Sequence, residues 1–385
     1  MSNTPNALEG IRVVDLSRLV AGNMVSHMLA DFGADVIKVE KPGAGDDLRN
    51  WTEDGVEIFW KAYSRNKRSV CWDLKDDCEK EKLLRLIATA KVLVENFLPG
   101  KLEELGLGPD VLWELNPALI IVRVSGWGQT GPYRNRPGFG TLVEGMSGYA
   151  HMNGFPDKPP ALPPLATADM IAGLYGAYAV LVALRHVEMQ GGKGQVIDVS
   201  LFESLFSFIA SEPIKHRVSG TVSNRQGNQA INTAPRNIYQ ASDGQYLALS
   251  GSVQSMFERL MTVIGRPELI EDSRFRTNEE RVKNRDSLDE IICQFIGKKT
   301  LEENLAFFEK EKVTVGPVLA VDQLLDHPYF VGREVLSEFV DPDLGSIPSH
   351  TPLPRMSGTP GRLTMPAPKL GEHTKEVELE LEAGE

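Results

Sequence analysis

The first 205 residues alternate between short, β-branched apolar segments and longer helical stretches. The segments typical of strands are Ile11–Leu16, Asp35–Val39, Ser69–Leu74, Val92–Asn96, Leu119–Val124 and Gln195–Ser200. Helical stretches such as Met24–Phe32 and Lys80–Ala90 separate several of them. Strands that are apolar on nearly every residue and alternate with helices favour a largely parallel sheet covered on both faces. The sequence therefore predicts a large α/β domain over residues 1–205.

The pattern changes after residue 215. Two strand-like segments surround Asp243-Gly244 within residues 237–252, which is a strong hairpin signal. Helical patterns follow at 253–264, 286–297 and 301–312, and then an apolar segment at Val313–Val321. Residues 215–335 are therefore predicted to form a smaller α+β domain. From residue 336 the chain is rich in Pro and Gly, and we expect it to be irregular.

Composition excludes several classes of protein. A net charge of −12 over 385 residues argues against a nucleic-acid-coating surface, so an anionic ligand needs a local cluster of cations. The N-terminal residues do not resemble a signal peptide, and three cysteines without a C-x-x-C pair favour a reducing cytoplasm and no metal site. The longest uncharged segment, Met170–Leu184, is shorter than the ~20 residues of a membrane span and predicts a buried helix.

Gly126-x-Gly128-x-x-Gly131 follows an apolar segment and has the letter pattern of a dinucleotide-binding turn. In such a turn a helix begins within the motif and its N-terminus faces the pyrophosphate. Here Pro132 and Pro137 follow directly, and proline removes helix donors and disfavours helical geometry in the preceding residue. No helix is expected before about Thr141, so a nicotinamide- or flavin-dependent oxidoreductase is not favoured.

Eight stretches in order along the chain carry a family resemblance. Four are LEGIRVVDLSRLVAGNMVSHMLADFGADVIKVEKPGAGDDLR (8–49), NKRSVCWDLK (66–75), VENFLPGKLEELGLG (94–108) and SGWGQTGPYRNRPGF (125–139). Four more are ATADMIAGLYGAYAVLVALRH (166–186), GGKGQVIDVSLFES (191–204), DGQYLAL (243–249) and LGEHTKEV (370–377). Together they resemble the family III CoA-transferases, which include formyl-CoA and carnitine CoA-transferases and are related to α-methylacyl-CoA racemase.

The resemblance implies a Rossmann-like large domain, completed by residues 336–385, with a smaller domain, in an interlocked homodimer. It implies coenzyme A or acyl-CoA as a substrate, with no permanently bound cofactor, and small carboxylic acids as the other substrates. The family nucleophile falls on Asp169. By itself, a carboxylate at the start of an apolar helix is explained by charge–dipole stabilisation. Asp169 is, however, the only acidic residue between Asp157 and Glu188.

The implied chemistry is covalent catalysis in two exchanges. Asp169 attacks the donor thioester to give a mixed anhydride, and the released CoA thiolate then forms an aspartyl-CoA thioester. The acceptor acid enters and the steps reverse. In the family a glycine-rich loop of the small domain covers the intermediate, and here the candidate is Ser250-Gly251-Ser252.

The family's CoA contacts fall on nine positions of this chain. They are Arg18, Val20, Ala21, Lys41, Trp72, Lys75, Asn96, Phe97 and Leu98. Seven cations crowd the N-terminal third and are candidates for pairing with the charges of CoA: Arg18, Lys38, Lys41, Arg65, Lys67, Arg68 and Lys75. Arg134 and Arg136 are candidates for binding a second carboxylate of the acid, or equally a CoA phosphate. Succinyl-CoA and a dicarboxylate are the default substrates on this reasoning.

The chain departs from the family pattern at three places. Asn23 replaces the usual proline after Ala21-Gly22, and Glu104 stands where formyl-CoA and carnitine transferases have arginine, so that phosphate contact is expected either to be lost or to be supplied by Lys101. The run of glycines found in the formyl-CoA enzymes is absent from residues 225–239. Formyl or oxalyl exchange is therefore not expected.

Three alternatives remain. An α-methylacyl-CoA racemase of this fold has a histidine at the position of Phe139, and phenylalanine cannot exchange a proton. An intramolecular CoA shift between the two carboxyls of one diacid would retain Asp169. A CoA-binding protein without activity predicts damage at the nucleophile, and Asp169 is intact.

Overall fold

The computed structural model describes residues 6–384. The chain forms two compact units. The first comprises residues up to Tyr149, Leu162–Ala210 and Pro328 to the C-terminal end, and the second comprises Ala150–Ala161 and Ser211–His327.

The strands and helices are numbered here in chain order. The strands β1 to β11 are Arg12–Asp15, Asp35–Glu40, Lys67–Cys71, Val92–Glu95, Ile120–Ser125, Val196–Ser200, Arg236–Gln240, Tyr246–Ser250, Val315–Pro317, Leu336–Asp341 and Gly345–His350. The helices α1 to α17 are Ala21–Ala30, Ile58–Tyr63, Asp77–Thr89, Lys101–Glu104, Pro109–Leu115, Gly140–Met146, Tyr149–Met152, Thr167–Gln190, Leu201–Phe206, Ser211–Ser219, Gln254–Val263, Asn278–Lys283, Arg285–Ile296, Leu301–Lys310, Val321–Leu324, Pro328–Gly332 and Thr374–Ala383.

The first unit is built on a six-stranded, fully parallel sheet of order β3-β2-β1-β4-β5-β6. The strand order reverses between β1 and β4, and ligands of doubly wound folds bind at the carboxyl ends of the strands at such a point. The predicted α/β architecture is confirmed, and all six predicted strand segments correspond to β1–β6.

Alternate residues of the central strands pack into two apolar layers. Val13 and Val94 contribute to the layer that includes α1 and α8, whereas Val14 and Leu93 contribute to the layer that includes α3. Helix α17 adds Val377 to the second layer. Both faces of the sheet are therefore covered, which is why its strands are apolar on successive residues.

Helix α8 crosses α1 at close range because residues 173 and 176 are glycines. A Cβ on Gly176 would lie 2.6 Å from Cγ2 of Val25, and a Cβ on Gly173 would collide with Met24. This crossing fixes the N-terminal turn of α8, and therefore Asp169, relative to the first turn of α1.

The buried helix predicted at 170–184 is present, but only one of its faces is buried within the chain. Helix α8 is 24 residues long, and by length and composition alone it could cross a membrane. Only the face toward α1 and the sheet is buried within this chain. The other face exposes apolar side chains: Leu174, Tyr178, Leu181 and Val182.

The C-terminal segment is more regular than its Pro and Gly content suggested. Strands β10 and β11 pair as an antiparallel hairpin, so the expectation of irregular structure from residue 336 is wrong for 336–350. The turn residue Gly345 has a φ of +74°, a conformation that favours glycine.

The second unit contains the antiparallel sheet β7-β8-β9. Its core joins the hairpin to three helices, with Leu247 and Leu249 of β8 packed with Phe257, Ile292 and Phe308 of α11, α13 and α14. The hairpin around Asp243-Gly244 and the three helices predicted for this region are confirmed.

Candidate active site

Asp169 is the third residue of α8, and its carboxylate lies against the first residue of α6. Oδ2 of Asp169 is 2.5 Å from the point where a Cβ would stand on Gly140, so a side chain at residue 140 would displace this carboxylate. Residue 139 is the N-cap of α6, and the helix begins at Gly140, as the two prolines of the preceding loop led us to expect.

A second carboxylate meets Asp169 at the same point. Glu144 of α6 is 3% exposed, and its Oε1 is 3.8 Å from the same Cβ position on Gly140. Its Oε1 also accepts a hydrogen bond from the Ala168 N–H at 3.2 Å. Burial and the negative charge of Glu144 together raise the pKa of Asp169 to about 6.

The GxGxxG segment forms a packed loop and not a dinucleotide-binding turn. Gly126 packs directly on Gly138, where a Cβ on Gly126 would lie 2.6 Å from Cα of Gly138. The Trp127 indole N–H donates to the Pro137 carbonyl at 3.1 Å. The glycines thus hold residues 126–138 as a compact loop, and the expectation that this loop is not a helix start is confirmed.

Two adjoining cavities, here called the cationic groove, run along the carboxyl edge of the sheet. A cavity of about 340 Å³ is lined by Arg18, Leu19, Ala21, Asn96, Phe97, Leu98, Arg134, Arg136, Phe139 and Asp169, among others. A cavity of about 500 Å³ is lined by Trp72, Phe97, the cations Arg18, Lys41, Lys75 and Lys101, and the acids Glu40, Asp46, Asp47 and Asp73, of which Asp47 pairs with Arg18 at 3.5 Å. Arg18 and Phe97 line both, so the two cavities form one groove with Asp169 at one end. The groove brings together most of the residues that sequence analysis selected.

A third cavity, here called the aromatic pocket, begins on the other side of the same carboxylate. It has a volume of about 650 Å³ and shares Leu19, Phe139 and Asp169 with the groove. Its wall also includes Val20, Trp51, Phe59, Tyr63, Glu144 and His350. Asp169 therefore stands where a long charged groove meets a mainly apolar pocket.

The turn after β1, which lies between groove and pocket, rests on buried charges. Leu19 has a φ of +60°, a strained conformation for a branched residue, and its N–H donates to Oδ1 of Asp46 at 2.8 Å. Asp46 in turn pairs with the buried Lys38 at 2.9 Å. Burial alone would raise the pKa of Asp46, but the Lys38 ammonium and the N–H donors hold it below its ordinary value.

Four of the seven cations expected to cluster for CoA are structural instead. Lys38 pairs with Asp15 and Asp46, Lys67 with Asp15, Arg65 with Asp31, and Arg68 with Asp35, Glu376 and Glu380. Burial lowers the pKa of Lys67 to about 8. Sequence cannot separate such paired cations from free ones, because the partners lie far away in the chain. Arg18, Lys41 and Lys75 remain exposed on the groove.

Asn23 has a clear part in this network. Its amide nitrogen donates to Oδ2 of Asp46 at 2.8 Å, and its Oδ1 accepts from the Lys67 ammonium at 3.1 Å. The departure from proline at this position therefore supplies a buried partner for Lys67.

Four other selected residues have contacts within the protein. Asn96 binds the backbone of Arg18 in both directions, at 2.8 and 2.7 Å, so it holds the turn in place. Trp72 is buried and donates to Glu378, and Lys101 pairs with Glu104 at 2.6 Å. Gly251 and Ser252 belong to the second unit, where the Gly251 N–H donates to the Pro235 carbonyl at 2.9 Å.

Sequence analysis missed Glu144 and most of the aromatic pocket. The spacing of Glu144 from Gly140 gave one usable signal, since residues four apart share a helix face. Trp51, Phe59 and His350 carried no such signal, because they come from separated parts of the chain. Among residues 6–384 the structure has no cluster of three or more His, Cys, Asp or Glu that could hold a metal ion.

The match to known proteins agrees with this geometry. The model of CoA-transferase family III matches residues 8–374. The chain belongs to CoA-transferase family III. The resemblance inferred from motifs is thereby confirmed, and the protein is an enzyme of the CoA-transferase class.

Named relatives and a solved structure are similar to this chain along nearly its whole length. The chain is 37% identical to succinyl-CoA–D-citramalate CoA-transferase of Chloroflexus aurantiacus, over 98% of this chain and 94% of the relative. It is 36% identical to succinate–glutarate CoA-transferase of Agrobacterium fabrum, over 99% and 97%. A crystal structure of a CaiB/BaiF family protein from Brucella suis matches with a TM-score of 0.85 and 35% identity, covering 98% of this chain and 100% of that one.

Replacing Asp169 tests whether its negative charge destabilises the folded protein. A pKa raised to about 6 means that the ionised carboxylate destabilises the fold above pH 6, relative to an unfolded value near 3.8. We therefore expect Asp169→Asn to be more stable than wild type at pH 8, by about 1–2 kcal/mol after allowance for partial exposure. The gain should shrink as the pH falls from 6 to 4. Urea unfolding at a series of pH values measures it.

The matched control is Glu188→Gln, which neutralises an exposed carboxylate near the other end of α8. It should show no gain. A stability of Asp169→Asn equal to that of wild type at pH 8 would contradict the electrostatic account.

Proposed function

We propose that this protein is a cytoplasmic CoA-transferase that moves CoA from succinyl-CoA to a small dicarboxylic acid through an aspartyl-CoA thioester on Asp169. The observation that carries the proposal is the position of Asp169 at the junction of the cationic groove and the aromatic pocket. The named activities of the relatives, succinyl-CoA to D-citramalate and succinate to glutarate, support the choice of substrates.

The groove suits the long, anionic CoA. Arg18, Lys41 and Lys75 supply positive charge along it, and its far end leads to Asp169. The aromatic pocket suits the short carbon chain of the acyl group or acid, since its wall is mainly apolar. With CoA in the groove and the acyl chain in the pocket, the thioester carbonyl lies at Asp169.

The reaction then balances without any other reactant. An Asp169 oxygen attacks the thioester carbon and the C–S bond breaks. The CoA thiolate departs, and a mixed anhydride of Asp169 and succinate remains. The thiolate attacks Cγ of Asp169 and releases succinate, which leaves the aspartyl-CoA thioester. The acceptor carboxylate attacks the same Cγ, the C–S bond of the thioester breaks, and a second mixed anhydride forms. The released CoA thiolate then attacks the acyl carbon of the acceptor, which gives acceptor-CoA and frees Asp169. Because carboxylates and thiolates alone exchange, no proton is taken up or released.

The residue beside the nucleophile supports transfer over racemisation. Phe139 lines both cavities next to Asp169 and is 61% exposed. A racemase needs a proton-exchanging group there, and a phenyl ring has none.

Trapping the intermediate tests the proposal. Wild-type protein incubated with succinyl-CoA and hydroxylamine should give a hydroxamate on Asp169, detected by mass spectrometry of the peptide containing it, because hydroxylamine captures thioesters and anhydrides. Asp169→Asn should give none, and Glu188→Gln should match wild type. Absence of the adduct in wild type, with exchange of the acyl α-proton for deuterium, would instead indicate racemase-type chemistry.

The two loop arginines are proposed to bind the second carboxylate of the acid. Arg134 and Arg136 line the groove beside Asp169, and neither is in a salt bridge with any other residue in the range 6–384. The Arg136 guanidinium stacks on Tyr133 at 3.7 Å, which fixes its plane. A fixed guanidinium suits recognition of a carboxylate.

Removing both arginines separates the two possible ligands. The Arg134→Ala, Arg136→Ala variant should raise KM for the acceptor dicarboxylate by about 10–100-fold, as expected for lost charged hydrogen bonds, with little change in KM for the acyl-CoA. Arg276→Ala, which removes an exposed arginine of the second unit, is the control. A rise confined to KM for the acyl-CoA would assign the arginines to CoA phosphates.

We also propose that the protein is a homodimer. The exposed apolar face of α8, with Tyr178 66% exposed and Leu181 47% exposed, supports a protein–protein contact there. Light scattering should give twice the chain mass for wild type. Tyr178→Glu should lower it toward one chain, whereas the control Glu188→Gln should not. A wild-type mass of one chain would refute the dimer.

A further inference from the structure

The carboxylate pair at Gly140 has a consequence beyond the identity of the nucleophile. Carboxylate oxygens of Asp169 and Glu144 both lie within 4 Å of the point where a Cβ would stand on Gly140, at 2.5 and 3.8 Å. Neither takes part in a salt bridge with another residue in the range that the structure describes. Two carboxylates brought together without a bound cation repel one another, and the repulsion grows where water is excluded.

Glu144 is held in this position by its surroundings. It is 3% exposed, and its Oε1 accepts from the Ala168 N–H at the start of α8. The N-terminal turn of a helix favours a negative charge, and both carboxylates lie at the first turn of α8. Asp169 is the more exposed of the two and accepts from its own backbone N–H, and burial together with the charge of Glu144 raises its pKa.

The charge of Asp169 changes during the proposed reaction, and that of Glu144 does not. The free carboxylate of Asp169 is an anion, whereas the mixed anhydride and the aspartyl-CoA thioester are both neutral at Asp169. Repulsion from Glu144 therefore acts on the free enzyme and is relieved in each covalent state. An interaction that raises the ground state and is absent from the intermediate shifts the equilibrium toward that intermediate.

We propose that Glu144 is a positioning residue that acts through Asp169, where its negative charge favours the covalent aspartyl states over the free carboxylate. The inference rests on the proposed nucleophilic role of Asp169. The raised pKa of Asp169, about 6, is in the same direction, because a neutral acid and a neutral thioester are favoured for the same reason.

Other charged groups face the same space and must be kept in place by the test. From the groove these are Arg18, Asp47, Arg134 and Arg136, and from the aromatic pocket Tyr63 and His350. On the groove side the net charge of these groups is positive, opposite to the charge of Glu144. Only a substitution at Glu144 itself isolates its charge.

Glu144→Gln is the informative variant, because its amide oxygen can still accept from Ala168 while its charge is lost. In pH profiles of kcat/KM for succinyl-CoA, measured as CoA transfer, the acidic midpoint of Glu144→Gln should lie about one unit below that of wild type. At equal concentrations of succinyl-CoA and succinate, the ratio of aspartyl-CoA thioester to free Asp169, measured by mass spectrometry, should fall about tenfold.

Glu144→Asp keeps the charge and should keep the pH midpoint near that of wild type, and Glu188→Gln should change neither quantity. A pH midpoint and thioester ratio of Glu144→Gln equal to those of wild type would overturn the inference while leaving the nucleophile intact. Absence of any adduct in wild type would instead overturn the proposed function. Should Glu144→Gln fold poorly, Glu144→Ala also removes the charge: an acidic midpoint about one unit below that of wild type supports the inference, and an unchanged midpoint contradicts it.

Discussion

The close crossing of α1 and α8 is the contact on which the site depends. Gly176 lies so near Val25 that a single methyl group would separate the helices. With the helices in contact, the first turn of α8 carries Asp169 to the Leu19–Ala21 turn that begins α1. Leu19 and Asp169 line both the cationic groove and the aromatic pocket. The two cavities thus meet at the nucleophile because α8 presents glycines to Met24 and Val25 of α1.

The charged residues of the first unit form two sets with different roles. One set is buried and paired, with Lys38 and Asp46 holding the strained turn at Leu19. The other set, including Arg18, remains on the groove surface. Removing one partner of a buried pair is costly, so the first set fixes geometry and contributes no free charge to a ligand. This division explains how an acidic protein presents a local cationic surface.

Much of the fold follows from local sequence patterns. Buried parallel strands are apolar on successive residues, and proline placement kept a helix from starting before Gly140. Contacts between distant segments did not follow. Nothing local marks Lys67 as paired with Asp15, or His350 as part of a pocket with Asp169. The hairpin at 336–350 was missed because its strands are paired with each other despite their Pro and Gly content.

Oxygen transfer tests the central claim, that Asp169 is the attacking group, most directly. In the proposed reaction an acceptor acid labelled with ¹⁸O in its carboxylate leaves one labelled oxygen on Asp169 each time acceptor-CoA forms. After turnover with succinyl-CoA, the peptide containing Asp169 should therefore gain ¹⁸O, as measured by mass spectrometry. An unlabelled Asp169 after many turnovers would show that CoA passes between the acids without a covalent bond to this residue.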